Sequence, residues 1–210
     1  MASYNLPLSG PGWNYIYPYP VQAARPVTEA LLSISGYYTT VYGYIPTDTV
    51  DPWRVYDVSI SPTALNDLQV LEFGEAYWIN VAADVVLRLK GDGSVTIEAP
   101  ISFNLPPATY YGAVIGNGFT AGMSVEAWIG NTLCGQSQTQ WVNGQLMYLL
   151  KVESEGPGAN HLGCGAAGRV VTFKVNGQIL GTAALWNNDV AHRHNLFVVT
   201  TQIYLPIIRR

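Results

Sequence analysis

Charge is scarce in this 210-residue chain. Asp, Glu, Lys and Arg together make up 11% of it, well below the roughly 25% of an ordinary soluble domain. Lysine occurs only as Lys90, Lys151 and Lys174, and the fourteen acidic and ten basic residues form no run of either sign. Binding to nucleic acid needs a clustered basic face, so no nucleic-acid partner is expected. No apolar stretch approaches the roughly 18–20 residues that would cross a bilayer, which argues against membrane insertion. The start has no basic stretch followed by an apolar one of the signal-peptide kind, so the compartment is read from the cysteines instead.

Reactive groups are equally sparse. No GxSxG occurs, and "GNGFTAG" lacks the Lys-Ser or Lys-Thr end of a phosphate loop, so it reads as a turn. Of the three histidines, His161, His192 and His194, the last two could share a strand face. They have no third ligand nearby and read as a solvated strand end, not a metal site. The pairs Asp48 with Asp51 and Glu72 with Glu75 are the best acid pairs for glycosidase-like chemistry, but they read as loop acids. "TDTVD" lacks the acidic spacing and glycine of a calcium loop. No catalytic residue, metal or cofactor is expected.

Only two cysteines are present, Cys134 in "NTLCGQ" and Cys164 in "HLGCGAAG". Their pairing would stabilise the fold by about 3–4 kcal/mol on the chain-entropy estimate and would place the protein in an oxidising, extracellular or cell-surface setting. The alternative is two unpaired small hydrophobes.

What fills the chain is short runs of Val, Ile, Thr, Tyr and Trp between Gly, Pro, Asn and Asp, the pattern of a mainly β protein. Two segments read as short helices: "RPVTEALLSIS" (25–35), ended by Gly36, and "SPTALNDLQVLEF" (61–73), ended by Gly74. "VVLRLKGDGSVTIEA" reads as a hairpin about Asp92-Gly93, with Leu87, Leu89, Val95 and Ile97 on its apolar face. Pro100, Pro106 and Pro107 then mark a connection. Two β-rich domains are therefore expected. Residues 1–99 form an aromatic-rich module with two short helices, and residues 100–210 an immunoglobulin-like sandwich with a C-terminal strand. The second half offers "TYYGAVI", "SVEAWIG", "QLMYLLKV", "VVTFKVNGQIL" and "LFVVTTQIYL" as strands, with Phe173 and Val175 inward, Thr172 and Lys174 outward, and a turn at Asn176-Gly177.

The aromatics pose the functional question. An extended "GWNYIYPYP" puts Trp13, Tyr15, Tyr17 and Tyr19 on one face, and Pro18 and Pro20 confine it to a sheet edge. In "FGEAYWINV", Tyr77, Ile79 and Val81 alternate with Trp78 and Asn80. Trp13 is assigned to the core. Tyr37, Tyr38, Tyr42 and Tyr44 read as exposed rings, and with Trp53 and Trp78 they form the candidate ligand-binding aromatics.

The ordered set "GWNYIYPYP", "VTEALLSISGYYTTVYGY", "DPWRVYD" and "LNDLQVLEFGEAYWINV" resembles an accessory module repeated in large secreted bacterial proteins, with Glu75-Ala76 departing from its usual small residue and glycine. It covers residues 4 to 90. The second half resembles the carboxypeptidase-regulatory or fibronectin-like sandwiches found beside such modules, and "IYLPIIRR" resembles a tail common to those chains. The resemblance implies an accessory or surface role without catalysis.

Both termini carry an apolar Leu-Pro strand. Leu6 and Leu8 at one end and Tyr204, Leu205 and Ile207 at the other are candidate strand-pairing residues, either closing the two domains onto each other or adding to a neighbour's sheet. The expected function is a non-catalytic extracellular structural, adhesion or display protein, a surface or fibre subunit whose partner is itself. The alternative is a carbohydrate-binding module for surface polysaccharide with an aromatic platform.

Overall fold

The computed structural model describes residues 2–48, 50–91, 105–155 and 162–198. The molecule is mainly β. The N-terminal half contains β1 (Ala2–Leu8), β2 (Gly12–Ile16), β3 (Arg25–Pro26), β4 (Tyr38–Tyr44), β5 (Trp53–Asp57), β6 (Val70–Leu71), β7 (Ala76–Val81) and β8 (Val85–Gly91). In the C-terminal half follow β9 (Ala108–Ile115), β10 (Ser124–Ile129), β11 (Thr132–Gln138), β12 (Gln140–Val142), β13 (Gln145–Val152), β14 (Val170–Val175), β15 (Gln178–Ile179), β16 (Ala184–Leu185), β17 (His192–Arg193) and β18 (Leu196–Phe197).

These strands stack in layers with apolar side chains between them. The order β2-β7-β4-β5 makes a four-stranded sheet. One of its faces packs under β1, β8 and the segment around residues 27–34, burying Leu31, Val41, Leu71, Tyr77, Ile79 and Leu87. In the second half β12-β13-β9-β17 faces β11-β10-β14-β15, a sandwich-like pair of sheets. Tyr110, Tyr148, Leu150, Val125, Phe173 and Trp186 fill the space between. β13 is apolar on both faces because it serves two cores. Leu146, Tyr148, Leu150 and Val152 point into the sandwich, while Met147 and Leu149 meet the first half. That reading of "QLMYLLKV" follows the period of two along a strand.

The disulfide forms. Cys134 and Cys164 are joined with their Cα atoms 5.4 Å apart, and both lie within the sandwich core. Cys134 sits inside β11, whose Cys134 carbonyl accepts the Glu153 N–H at 2.7 Å and ties the two sheets together at this edge. Gly135 is required there, since a Cβ at that position would collide with the Lys151 backbone carbonyl. The inward and outward assignments along β14 hold: Phe173 and Val175 are buried, and Thr172 and Lys174 are half-buried on the other side. Asn176 turns with φ of 49° ahead of Gly177, and Asn143 does the same ahead of Gly144, the left-handed pair that a two-residue hairpin demands.

Three local expectations change. The 25–35 segment coils only as an α-turn, α1 (Val27–Ala30), followed by a 3-10 turn at Leu32–Ile34, although Gly36 does adopt positive φ. In 61–73 only Thr63–Leu65 coils, and Val70–Leu71 is a strand paired with β3. The side chains explain this: Asn66 Oδ1 accepts the Asp57 N–H at 2.8 Å, and Asp67 Oδ1 accepts the Val55 N–H at 2.6 Å. Local polar side chains thus hold the segment along the edge of β5 and outcompete a helix. The N-terminal strand does not close one half onto the other, because β1 pairs along its whole length with β8, Leu6 opposite Leu87 and Leu8 opposite Val85. Tyr204, Leu205 and Ile207, the return arm of the expected hairpin and its Asp92-Gly93 turn, and the expected boundary at 99–100 lie outside the described residues.

Candidate functional site

The second face of the β2-β7-β4-β5 sheet carries the densest group of rings. Tyr42, Trp53 and Trp78 are 1%, 1% and 6% exposed, with Trp53 and Trp78 centroids 5.1 Å apart and Tyr42 and Trp53 5.9 Å apart, both edge-to-face. Against them pack Tyr111, Met147, Leu149 and Ala191 of the second half. The rings are the cement of a seam between the two halves. Edge-to-face pairs of this kind add to the burial of large apolar surface.

The expectation of exposed rings is therefore corrected for Tyr38 and Tyr42, and the ligand candidates Trp53 and Trp78 are buried with them, all four under 9% exposed. A tyrosine hydroxyl tolerates water but does not require it. Tyr42 places its hydroxyl 2.6 Å from Thr109 Oγ1 inside the seam, and burial drives its pKa far above the usual phenol value. Of the six candidates only Tyr37 is exposed, at 53%, and Tyr44 is half-buried with its ring edge-on to Trp53. Tyr37 lies just before β4 and Tyr44 at its far end, about 20 Å apart at the rise of an extended strand, so they do not form one platform. The four rings of "GWNYIYPYP" also part company. Trp13 and Tyr15 pack on the seam, Tyr19 lies in the opposite core and Tyr17 is exposed. β2 stops at Ile16, ahead of Pro18, and the alternation stops with it.

Around the seam runs a polar belt that joins the halves directly. Lys151, its side chain 5% exposed, donates to Asp51 Oδ2 at 2.8 Å and also to Asp67 Oδ2. Asp57, 1% exposed, takes hydrogen bonds from Thr40 Oγ1 at 2.5 Å, Ser59 N at 2.8 Å, Ser59 Oγ at 2.6 Å and Ala191 N at 2.9 Å. Tyr111 donates to the Ser59 carbonyl at 2.9 Å, and Asn80 Nδ2 to the Asp189 carbonyl at 2.7 Å. Burying a charge is costly unless it is compensated: Lys151 is paired with two carboxylates of the other half, and Asp57 is compensated by four neutral donors, one of them the Ala191 N–H of the other half.

The two acid pairs sit in different surroundings. Asp48 Oδ2 accepts from Arg54 at 2.7 Å, and its Oδ1 accepts the Val50 and Asp51 amides. The Arg54 bond, then those amides, lowers its pKa to about 2. Asp51 is held by Lys151 and, at 3.8 Å, by Arg54. Glu72 and Glu75 border a cleft of about 250 Å³ with Tyr44, Arg54, Asp67 and Tyr77. There the Glu72 N–H donates to the Tyr77 hydroxyl at 2.8 Å, and burial pushes that phenol up to about 12.

His192 Nε2 lies 3.0 Å from the Asn187 carbonyl, and His194 Nε2 lies 2.8 Å from the Thr182 carbonyl. Their rings pack on Tyr110 and Phe173. Burial lowers the His194 pKa. Among the described residues no three His, Cys, Asp or Glu side chains gather as metal ligands.

Sequence reading missed Asp57, Asp67 and Lys151 as organising residues. One signal was present, a lone lysine within the eight-residue run "QLMYLLKV". Comparison with protein-family models, with curated proteins and with solved structures gives no match.

Proposed function

We propose that this chain is a non-catalytic extracellular structural protein, an adhesion or display subunit in which the two halves act as one stiff body. The observation that carries the reading is the burial of Tyr42, Trp53 and Trp78 against Tyr111, Met147 and Leu149, with Lys151 bonded across the seam to Asp51 and Asp67. Rings that a sugar platform would present to solvent are committed to cohesion. The Cys134–Cys164 bridge suits an oxidising setting. The immunoglobulin-like character of the second half, and the likeness of the chain to accessory modules of secreted bacterial proteins, belong to the same proposal.

Assembly in this reading runs through the C-terminal segment, with "QIYLPIIRR" adding to a neighbouring copy. Sedimentation of the full chain and of a chain lacking residues 201–210 tests it. Assemblies that become folded monomers on deletion are expected, and a full chain that stays monomeric at high concentration overturns the subunit role. Turnover of a chromogenic glycoside or ester, abolished by Glu72→Gln or Glu75→Gln, would overturn the non-catalytic reading.

A further inference from the structure

Among the described residues three buried side-chain polar atoms lack a partner: Thr39 Oγ1, Ser137 Oγ and the Tyr19 hydroxyl. Of these, Tyr19 lines a cleft. The ring is 0% exposed and packs edge-on to Tyr77 at 5.6 Å, while its backbone is tied to the Gly74-Glu75 turn. Burial pushes the phenol up to about 12, and the Arg25 charge opposes that rise. Native folds rarely leave a buried hydroxyl without a partner, since its desolvation costs about 1–3 kcal/mol.

The cleft that Tyr19 borders has a volume of about 310 Å³, at the small end of sites for organic ligands. Its rim carries Arg25, Arg88 and Lys90 against the single acid Glu29, over an apolar wall that includes Leu89. None of these four charged side chains forms an ion pair among the described residues. The edge of β8 is already closed at this point. The Ser33 hydroxyl accepts the Arg88 N–H at 2.9 Å and reaches the Arg88 carbonyl at 3.4 Å. That pair of hydrogen bonds to Ser33 occupies the Arg88 backbone against strand addition and leaves the cleft to a compact ligand.

We propose that this cleft binds an acidic saccharide, with Arg25, Arg88 and Lys90 receiving the carboxylate, the Tyr19 hydroxyl donating to a ring oxygen or hydroxyl, and the apolar wall taking the C–H face of the sugar. Guanidinium groups suit a planar carboxylate because they offer paired donors. Tyr19 is unpartnered in the free protein because its partner is the ligand. The inference does not rest on the structural role proposed above, which involves the opposite face of the sheet.

Calorimetric titration of the whole chain with di- and trigalacturonate, with cello-oligosaccharides of equal length as neutral probes, tests it. The acidic sugars are expected to bind and the neutral ones not. Arg88→Gln or Arg25→Gln is expected to weaken binding about tenfold, as for a charged hydrogen bond. Tyr19→Phe is expected to weaken binding several-fold while raising the melting temperature of the free protein. No binding of galacturonate at about 10 mM, a bare 2–3 kcal/mol of affinity, overturns the proposal. So does equal binding of neutral sugars, or affinity unchanged in Arg25→Gln, Arg88→Gln and Tyr19→Phe proteins.

Discussion

Lys151 reaches 2.8 Å from Asp51 across a hundred residues of sequence, so an ammonium on one half is neutralised by carboxylates of the other. Lys151→Met removes the ammonium shared by Asp51 and Asp67 and leaves Asp51 with its 3.8 Å contact to Arg54. Because those carboxylates are about a third exposed, the cost falls below the 3–5 kcal/mol of a fully buried pair, at about 2 kcal/mol. Urea denaturation measures it. The triple variant Lys151→Met, Asp51→Asn, Asp67→Asn is expected to recover much of the loss.

Trp53→Ala and Trp78→Ala each open the seam and are expected to cost about 3–5 kcal/mol, the range for emptying a buried aromatic site. If the seam couples the halves, the wild-type protein unfolds in one transition by both tryptophan fluorescence and circular dichroism. The variants then separate into two. Wild-type unfolding in two steps would show that the seam does not couple them.

Asp57 receives four donors and offers none, so Asp57→Asn turns an amide N–H₂ toward groups that need an acceptor. A loss of about 3 kcal/mol is expected, the cost of leaving buried donors without an acceptor, read as a lowered melting temperature. Asp57→Ala should be no better, since it leaves the same donors unpaired.

The pH limits follow from the folded-state shifts. Asp48 is held at about 2 against an ordinary 3.8. Its contribution is present above pH 3.8 and is lost as pH falls towards 2, so Asp48→Asn should flatten the acid limb of the stability curve in that window. Tyr19, Tyr38, Tyr77 and Tyr110 are each raised from 10.0 to about 12 by burial. Their contribution is complete below pH 10 and is lost between 10 and 12. Tyrosinate absorbance is expected to rise in step with loss of circular dichroism there.

Reduction, or Cys134→Ala with Cys164→Ala, frees a loop of 30 residues and is expected to cost about 3–4 kcal/mol on the chain-entropy estimate. The measurement is the urea midpoint of the unfolding transition, compared with the oxidised protein. An unchanged midpoint would mean that the core around Phe173 and Trp186 holds the loop unaided.

Alternation along a strand is a local property, which is why Phe173, Val175 and the Asn176-Gly177 turn were legible, as was the limit that Pro18 sets on β2. What a face packs against is not local. Tyr42 and Tyr38 look like surface residues in "GYYTTVYGY", but β4 is covered on both sides, and nothing in that stretch encodes Tyr111 or Met147 arriving from the other half. Asn66 and Asp67 show the same limit at smaller scale. Leu65, Leu68 and Leu71 have helical spacing, yet two polar side chains bonded to β5 decide the conformation. For the candidate site, composition pointed to the rings but left their role open, since large rings serve cohesion and recognition equally well; the burial of Tyr42, Trp53 and Trp78 is set by the other half.

The shared seam also bears on how such a chain is inherited. A recombination breakpoint between residues 91 and 105 would hand each descendant an uncovered indole face or a stranded ammonium, so the gene segment encoding both halves should travel, duplicate and be deleted as one block.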